Sequence, residues 1–371
     1  MDLSQLIRDL ENYKPTMTAI ERSKAYSRGE TVDHIPVSIS LRPALSNLYG
    51  YSMQQYRASL DVQFDVYNKA HASFGVFGAS IGPDFKTFGR IFGAEVRYPE
   101  NDVDVMIRQP LTDYAELARY ELPEPLQTPL LRGLLEQIGA YKAHFGEDFP
   151  IATEVSGPFT AASAIRPTKL LMIDTLRNGE ELCRLLDFCV ECQLVWVKAV
   201  YHRFGVSSVG VADPVASLSL LSPKVFRRYA LPSLSRLCRG ILAITGKAPS
   251  LHICGKTEEV LDDIAGIGFS SFRLDNCEDL EKAKRIIGSR MGLSGNIPPV
   301  DVMLNGSIDD VLASARACLQ KGADNPCGYT LAAGCQLPVG IPMENYYALL
   351  YAARRYGRNA RKAQPCPFAC E

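Results

Sequence analysis

The chain has 371 residues, 47% of them hydrophobic, so it can bury a core for one α/β barrel or two smaller domains. A formal net charge of -1 gives no overall attraction to nucleic acid or to an anionic membrane. The sequence has no signal peptide pattern and no apolar run long enough to span a bilayer, and its eleven cysteines indicate reduced thiols. We therefore expect a cytoplasmic protein without a nucleic-acid or membrane partner.

The order of apolar patterns along the chain predicts three regions. Residues 1–30 have helical spacing, beginning at Leu3 and Leu6, and are predicted to form an N-terminal helical extension. Residues 31–358 alternate strand and helix patterns, with a hairpin insertion after strand 2, and residues 359–371 are expected to be a flexible tail. The predicted strands are 35–41, 74–81, 149–155, 206–212, 248–253, 269–274, 291–294 and 328–332.

Eight strands that alternate with helices predict an α/β fold, a single (β/α)8 TIM barrel. In such barrels the chemistry gathers at the C-terminal ends of the strands. These ends carry polar residues in this sequence. They are Glu154, Asp213, His252, Cys254, Asp275, Asn276, Asn296 and Cys335.

Three of these residues have the chemistry of a metal site. His252 and Cys254 are two positions apart, so in an extended backbone their side chains leave the same side of the strand. Cys335 follows the last predicted strand. One imidazole and two thiolates form a three-ligand set for zinc with an open fourth position, the pattern of catalytic zinc. A His-x-Cys pair also arises by chance, since cysteine is often a small buried hydrophobe, but the location of all three residues at strand ends favours a metal.

The other cysteines and histidines are interpreted as structural. Cys189 and Cys192 form a C-x-x-C within a helical stretch, and no second pair completes a zinc ribbon. His34 precedes the first strand and has no ligand partner at useful spacing. The chain also lacks a Gly-rich phosphate loop and a G-x-S-x-G elbow, which argues against nucleotide-driven and serine-hydrolase chemistry.

Several segments share the pattern of one family along nearly the whole chain. They are Asp33-His34-Ile35-Pro36-Val37, Gly157-Pro158-Phe159-Thr160, Asp213-Pro214-Val215-Ala216-Ser217, Leu251-His252-Ile253-Cys254-Gly255, Gly295-Asn296-Ile297-Pro298-Pro299 and Gly334-Cys335. Together they resemble the uroporphyrinogen decarboxylase superfamily, which has a TIM-barrel fold. True decarboxylases carry an Arg-rich N-terminal motif and a pyrrole-binding Asp, whereas residues 38–43 hold only Arg42 and residues 78–81 hold no acid. The intact His-x-Cys…Cys set resembles the cobamide-dependent methyltransferase branch instead.

This resemblance implies an enzyme that takes a methyl group from a methylated corrinoid protein. The acceptor would be a thiol such as coenzyme M, or tetrahydrofolate. The implied cofactors are zinc, on His252, Cys254 and Cys335, and methylcobamide as the methyl donor on the partner protein. The alternatives are a uroporphyrinogen-type decarboxylase and a non-catalytic corrinoid-binding protein.

The candidate catalytic residues are Glu154, Asp213 and Asn296. Glu154 is expected to occupy the fourth zinc position when no acceptor is bound, or to help protonate a folate acceptor. A purely structural interpretation pairs it with an arginine. Asp213 and Asn296 are expected to contact the substrate or to support the metal ligands.

Overall fold

The computed structural model describes residues 1–39, 43–75, 78–147, 149–366 and 368–369. The strands are β1 (Ala79–Ser80), β2 (Glu95–Arg97), β3 (Val105–Arg108), β4 (Ile151–Ser156), β5 (Val209–Ala212), β6 (Ser250–His252), β7 (Ser271–Arg273), β8 (Gly292–Ile297) and β9 (Tyr329–Ala333). The helices are α1 (Leu3–Asn12), α2 (Ala19–Ser27), α3 (Met53–Ala58), α4 (Leu60–Phe74), α5 (Phe85–Ile91), α6 (Pro129–Phe145), α7 (Pro158–Ile165), α8 (Thr168–Arg177), α9 (Gly179–Phe204), α10 (Pro223–Val225), α11 (Leu231–Thr245), α12 (Leu261–Ile267), α13 (Leu280–Ile287), α14 (Ile308–Gly322) and α15 (Met343–Arg355). No helix in the described part of the chain is both long enough and apolar enough to cross a membrane.

The strands form one main sheet and one separate pair. The main sheet has the order β1-β4-β5-β6-β7-β8-β9, and β2 pairs with β3 in an antiparallel arrangement. The pairings of β1 with β4, β4 with β5, β5 with β6, β7 with β8 and β8 with β9 are all parallel. Parallel neighbours need crossover connections, which the helices provide. The predicted α/β fold with parallel strands is confirmed, and the antiparallel pair lies in the stretch predicted as an insertion.

The early part of the sheet differs from the prediction, since seven described strands stand where eight were expected. Among its described residues, 35–39, the first predicted strand is present only as a parallel bridge between Val37 and Leu331. Pro36 has no N–H to donate, which removes one hydrogen bond from any ladder at this point. The end of that predicted strand, at residues 40–41, lies outside the described residues, as do residues 76–77 of the second one.

The chain forms two compact units. The central unit comprises Gly78–Pro99 and Val103–Ser270. Its strands pack one face against helices: Trp196 of α9, which is 1% exposed, donates its indole N–H to Thr153 Oγ1 at 2.8 Å. Because side chains alternate along a strand, Glu154 lies on the opposite face from Thr153. The core of this unit therefore lies on the helix side of its strands.

The terminal unit comprises Met1–Phe77, Glu100–Asp102 and Ser271–Glu371. Residues 1–30 contain the helices α1 and α2, each with a polar residue accepting from the first turn, Asp2 and Thr18. Inside the unit, the buried Tyr329 of β9 donates its hydroxyl to the Gly295 carbonyl of β8. In the described part of the predicted tail, the Ala369 carbonyl accepts from Arg316 and Gln320, so this segment is anchored to α14.

Candidate metal centre

Two of the predicted ligands lie side by side at the end of β6. His252 is the last residue of the strand, and its Nε2 lies 3.1 Å from Cys254 Sγ. The chain then turns at Gly255, which has a φ of +73°, and a Cβ there would lie 2.7 Å or less from the hydroxyls of Ser217 and Ser219. Only glycine suits this turn, because other residues would be strained and would collide with the serines.

The third predicted ligand, Cys335, follows β9 after Gly334. A Cβ on Gly334 would lie 2.5 Å from the backbone nitrogen of Asn276, so this residue also has to be small. One ligand atom from each of His252, Cys254 and Cys335 lies within 4.8 Å of the other two, and all three residues are partly exposed. The structure therefore brings the three predicted ligands together.

The cluster suits zinc by its chemistry and its spacing. Zinc favours cysteine sulfur and histidine nitrogen, with bonds of about 2.3 Å and about 2.0–2.1 Å. Tetrahedral geometry at these lengths places neighbouring ligand atoms on the order of 3.5 Å apart. The ligand atoms of this cluster lie within 4.8 Å of one another, so small side-chain adjustments would bring them to that spacing. Harder cations such as Mg²⁺ or Ca²⁺ favour oxygen ligands, which this cluster does not supply.

Asp213 is fully buried beside this cluster and holds three elements of the central unit together. Its Oδ1 accepts from the backbone N–H and the hydroxyl of Thr160, each at 2.7 Å, and its Oδ2 accepts from the Phe159 N–H at 3.3 Å. Burial raises the pKa of this carboxyl to about 6, although these hydrogen bonds favour the ionised form. The Asp213 backbone N–H donates to the His252 carbonyl at 2.9 Å. The residue thus ties the start of α7 and the end of β5 to the end of β6.

Asn296 has a comparable place in the terminal unit, at the end of β8. Its amide nitrogen donates to the carbonyls of Asp275 at 3.1 Å and Glu278 at 2.8 Å. Its amide oxygen accepts from the Cys318 thiol at 3.8 Å. These contacts fix the loop that follows β7. Asp275, another predicted strand-end residue, lies in that loop and accepts from the Cys277 N–H.

Glu154 lies on the same strand face as His252. It pairs in register with Gly210 of β5, Gly210 pairs with Ser250 of β6, and His252 is two residues beyond Ser250. Strands are about 4.8 Å apart and rise about 3.3 Å per residue. These spacings place the backbones of Glu154 and His252 on the order of 10 Å apart. The carboxylate is therefore directed to the same side of the sheet as the imidazole, two strands away.

Sequence reasoning missed Arg273, which is the last residue of β7. The guanidinium Nε donates to the Ala333 carbonyl at 3.1 Å, two residues before Cys335. A charged residue inside a short apolar strand, next to the buried Phe272 and Leu274, was the available signal. The strand was predicted to run to residue 274, which placed Arg273 inside the strand rather than at its end.

Comparisons with known proteins identify the family of the chain. The uroporphyrinogen decarboxylase (URO-D) family profile matches residues 18–356. A methylcobamide:CoM methyltransferase of Methanosarcina barkeri is 32% identical over 232 residues, which span 62% of this chain and 66%, just under two thirds, of that relative. A methylated-thiol–coenzyme M methyltransferase of Methanosarcina mazei is 26% identical over 347 residues, which span 91% of this chain and 89% of the relative.

The fold of the chain is also similar to that of a solved methyltransferase structure. A methyltransferase from Methanosarcina mazei matches with a TM-score of 0.77 at 25% identity, covering 91% of this chain and 98% of the other. The family match includes the strands of the main sheet and the segments that carry His252, Cys254 and Cys335. The chain belongs to the uroporphyrinogen decarboxylase family, and within it resembles the methylcobamide:coenzyme M methyltransferases.

Proposed function

We propose that the protein is a zinc-dependent methyltransferase that moves a methyl group from a methylated corrinoid, carried by a partner protein, to a thiol. The observation that supports this most directly is the cluster of His252, Cys254 and Cys335, with ligand atoms within 4.8 Å of one another. The similarity to methyltransferases named for methylcobamide and for coenzyme M supports the donor and acceptor classes. Tetrahydrofolate is the alternative acceptor.

The donor set suits the activation of a sulfur nucleophile. Methyl transfer to sulfur requires the thiolate, and zinc held by two thiolates and an imidazole lowers the pKa of a thiol that binds to it. To bind the ion, His252 has to be neutral and Cys254 and Cys335 have to be deprotonated, so metal uptake releases protons. The strand ends supply the remaining requirement, because they bring the three donor atoms within 4.8 Å of one another.

The other candidate residues have distinct proposed roles. Asp213 is a positioning residue, since it is 0% exposed and its carboxylate is used by the first turn of α7. Asn296 likewise positions the loop after β7. Glu154 is proposed to contact the reactants, because it is partly exposed on the strand face that His252 also occupies. Arg273 supports the segment that leads to Cys335.

We also propose that residues 35–39 complete a (β/α)8 barrel. The support is the parallel bridge of Val37 with Leu331, flanked by hydrogen bonds from Ser38 N–H to the Leu331 carbonyl and from Leu331 N–H to the Pro36 carbonyl, both at 2.9 Å. These hydrogen bonds continue the parallel pattern of the main sheet beyond β9. Residues 35–39 are the described part of the first predicted strand, 35–41.

The activity is tested with purified, zinc-loaded protein, methylcobalamin and either coenzyme M or tetrahydrofolate. We expect loss of the methyl–cobalt absorbance with the thiol, and loss of that activity in Cys335→Ser. Cys327→Ser is the matched control, because Cys327 is an exposed free cysteine outside the cluster. Turnover with tetrahydrofolate and none with coenzyme M would show that the acceptor is the folate and not the thiol. Equal turnover by Cys335→Ser and wild type would contradict the proposed metal chemistry.

A further inference from the structure

A cavity of about 490 Å³ lies in the terminal unit beside α1 and the end of α15. It contains none of the predicted metal ligands or candidate catalytic residues. The side chains that matter for its chemistry are Asp9, Tyr13, Tyr351, Arg354, Arg355 and Arg358. Three guanidinium groups thus face a single carboxylate, which leaves an excess of two positive charges around the cavity.

Two of these arginines have buried donors that are not used. The Nε atoms of Arg354 and Arg358 are both inaccessible to solvent and have no hydrogen-bond partner among the described residues. The Arg354 guanidinium lies 5.3 Å from the centre of the Tyr13 ring, and that of Arg358 lies 3.5 Å from the centre of the Phe368 ring. Stacking of this kind fixes a guanidinium in place without neutralising it. Buried donors in native proteins are nearly always paired, so these two call for an acceptor.

The nearby carboxylates do not supply that acceptor. Both oxygens of Asp33 bind Arg22, at 2.6 and 2.9 Å, and also accept backbone N–H groups. Asp9 accepts from the Gln5 amide at 2.7 Å. Burial lowers the pKa of Arg354, and the proximity of Arg22 adds to this, with only partial relief from Tyr13 and Asp33. In the part of the chain that the structure describes, no ion pair involves Arg354 or Arg358.

We propose that this cavity binds a small, doubly charged oxyanion of the phosphate type, with Arg354 and Arg358 as its principal donors. The planar guanidinium fork matches the geometry of phosphate oxygens and makes strong charge-assisted hydrogen bonds. Two negative charges would balance the excess of two positive charges around the cavity. The hydroxyls of Tyr13 and Tyr351 provide further polar groups at its wall.

The position of the cavity in the fold separates its ligand from the methyl-transfer reactants. Arg358 forms a backbone bridge with His34, three residues before Val37, and Val37 pairs with Leu331, four residues before Cys335. At about 3.3 Å per extended residue, the arginines lie on the order of 20 Å from Cys335 along the strand direction. The bound anion would therefore join α1, α15 and the segment after α15 rather than take part in catalysis.

The test is a phosphate titration of the full-length, zinc-loaded protein by isothermal calorimetry and ³¹P NMR. We expect saturable binding of one phosphate per chain, at least about tenfold weaker in Arg354→Gln and in Arg358→Gln. Arg203→Gln is the matched control. Arg203 also lies over an aromatic ring, that of Phe204, but it belongs to the central unit and does not line the cavity. Its phosphate affinity should equal that of wild type.

Crystals soaked in tungstate, a heavy oxyanion, give a test that does not depend on the folding of a variant. An anomalous peak in contact with Arg354 and Arg358 supports the proposal. A peak confined to other sites, no saturable phosphate binding by wild type, or equal affinity in wild type and both glutamine variants would overturn it. Acetate serves as the monovalent comparison, and binding of acetate as tight as that of phosphate would contradict a doubly charged ligand.

Discussion

At the scale of single residues, Asp213 is a buried carboxylate whose hydrogen bonds join the start of α7 to the end of β5. The helix α7 begins at Pro158 after Gly157, which has no side chain to cap it, and Asp213 from another strand accepts the N–H groups of the first turn instead. A carboxylate here also complements the partial positive charge of the helix start. Its backbone N–H also donates to the His252 carbonyl, which supports its proposed role as a positioning residue.

We expect Asp213→Asn to lower the free energy of unfolding by about 1–3 kcal/mol at neutral pH, since one acceptor oxygen becomes a donor that faces an N–H group. Chemical denaturation measures the change. Asp263→Asn is the control, because Asp263 pairs with Arg227 at a more exposed position and such pairs contribute about 0–1 kcal/mol. An equal loss of stability in the two variants would show that the buried Asp213 carboxylate contributes no more to the free energy of unfolding than the more exposed Asp263.

The ligand residues lead to a second prediction at this scale. The protein should bind about one zinc per chain, and Cys254→Ser with Cys335→Ser should remove that zinc while circular dichroism stays unchanged, because the ligands stand on strand ends that pack without the metal. Elemental analysis measures the zinc. Cys327→Ser should retain it, and stoichiometric zinc in the double variant would exclude these cysteines as ligands.

At the scale of elements, the segment between α2 and the Val37 bridge is anchored throughout its length. Arg22 of α2 binds Asp33 in a nearly buried pair, and His34 forms a backbone bridge with Arg358. The His34 Nδ1 lies 2.8 Å from the Ile35 carbonyl, and the residue is only 2% exposed. Burial, together with the nearby Arg22, lowers the pKa of His34 to about 4.

This histidine predicts a loss of stability in acid. The unfolded chain binds the proton near the ordinary pKa of about 6.5, before the folded chain does, so the contribution of His34 is complete above that pH and falls towards pH 4. The full difference amounts to roughly 3 kcal/mol. Between about pH 7 and pH 4.5, wild type should lose more stability than His34→Asn, whose amide can still donate to the Ile35 carbonyl. The exposed His202→Asn is the control and should follow wild type.

The elements also show which parts of the fold could be predicted. From β4 onward the strands alternate with helices as the sequence indicated, since each strand is a compact apolar run bounded by glycine or polar residues. The earlier strands were harder, because Pro36 interrupts one and β1 keeps only Ala79–Ser80. At the site, the two-residue spacing of His252 and Cys254 was visible locally. The contact of Arg273 with Ala333 was not visible, since it depends on the pairing of distant segments.

At the scale of the whole molecule, the family alone does not decide the reaction, because it also contains decarboxylases of porphyrinogens. The sequence at 38–43 holds a single arginine, Arg42, which lies outside the described residues. Residues 78–81 hold no acid. A substrate with several carboxylates needs several cationic partners to be held and desolvated.

We therefore expect no conversion of uroporphyrinogen to coproporphyrinogen by the zinc-loaded protein or by the metal-free protein. Chromatographic separation of the oxidised porphyrins after incubation provides the measurement, with an authentic decarboxylase as the positive control. Conversion at rates comparable to that control would assign the protein to the decarboxylases and contradict the methyltransferase proposal.

The contact between Gly157 and Asp213 has a consequence for how freely this sequence can change. A Cβ at residue 157 would lie 2.3–2.5 Å from three atoms of the Asp213 side chain, which is itself held by Phe159 and Thr160. Even alanine would push the carboxylate away from the start of α7. In a library of random variants, position 157 should be as intolerant of substitution as a metal ligand, although glycine carries no functional group. A gene shuffled between relatives would have to inherit residues 157–160 and 213 together.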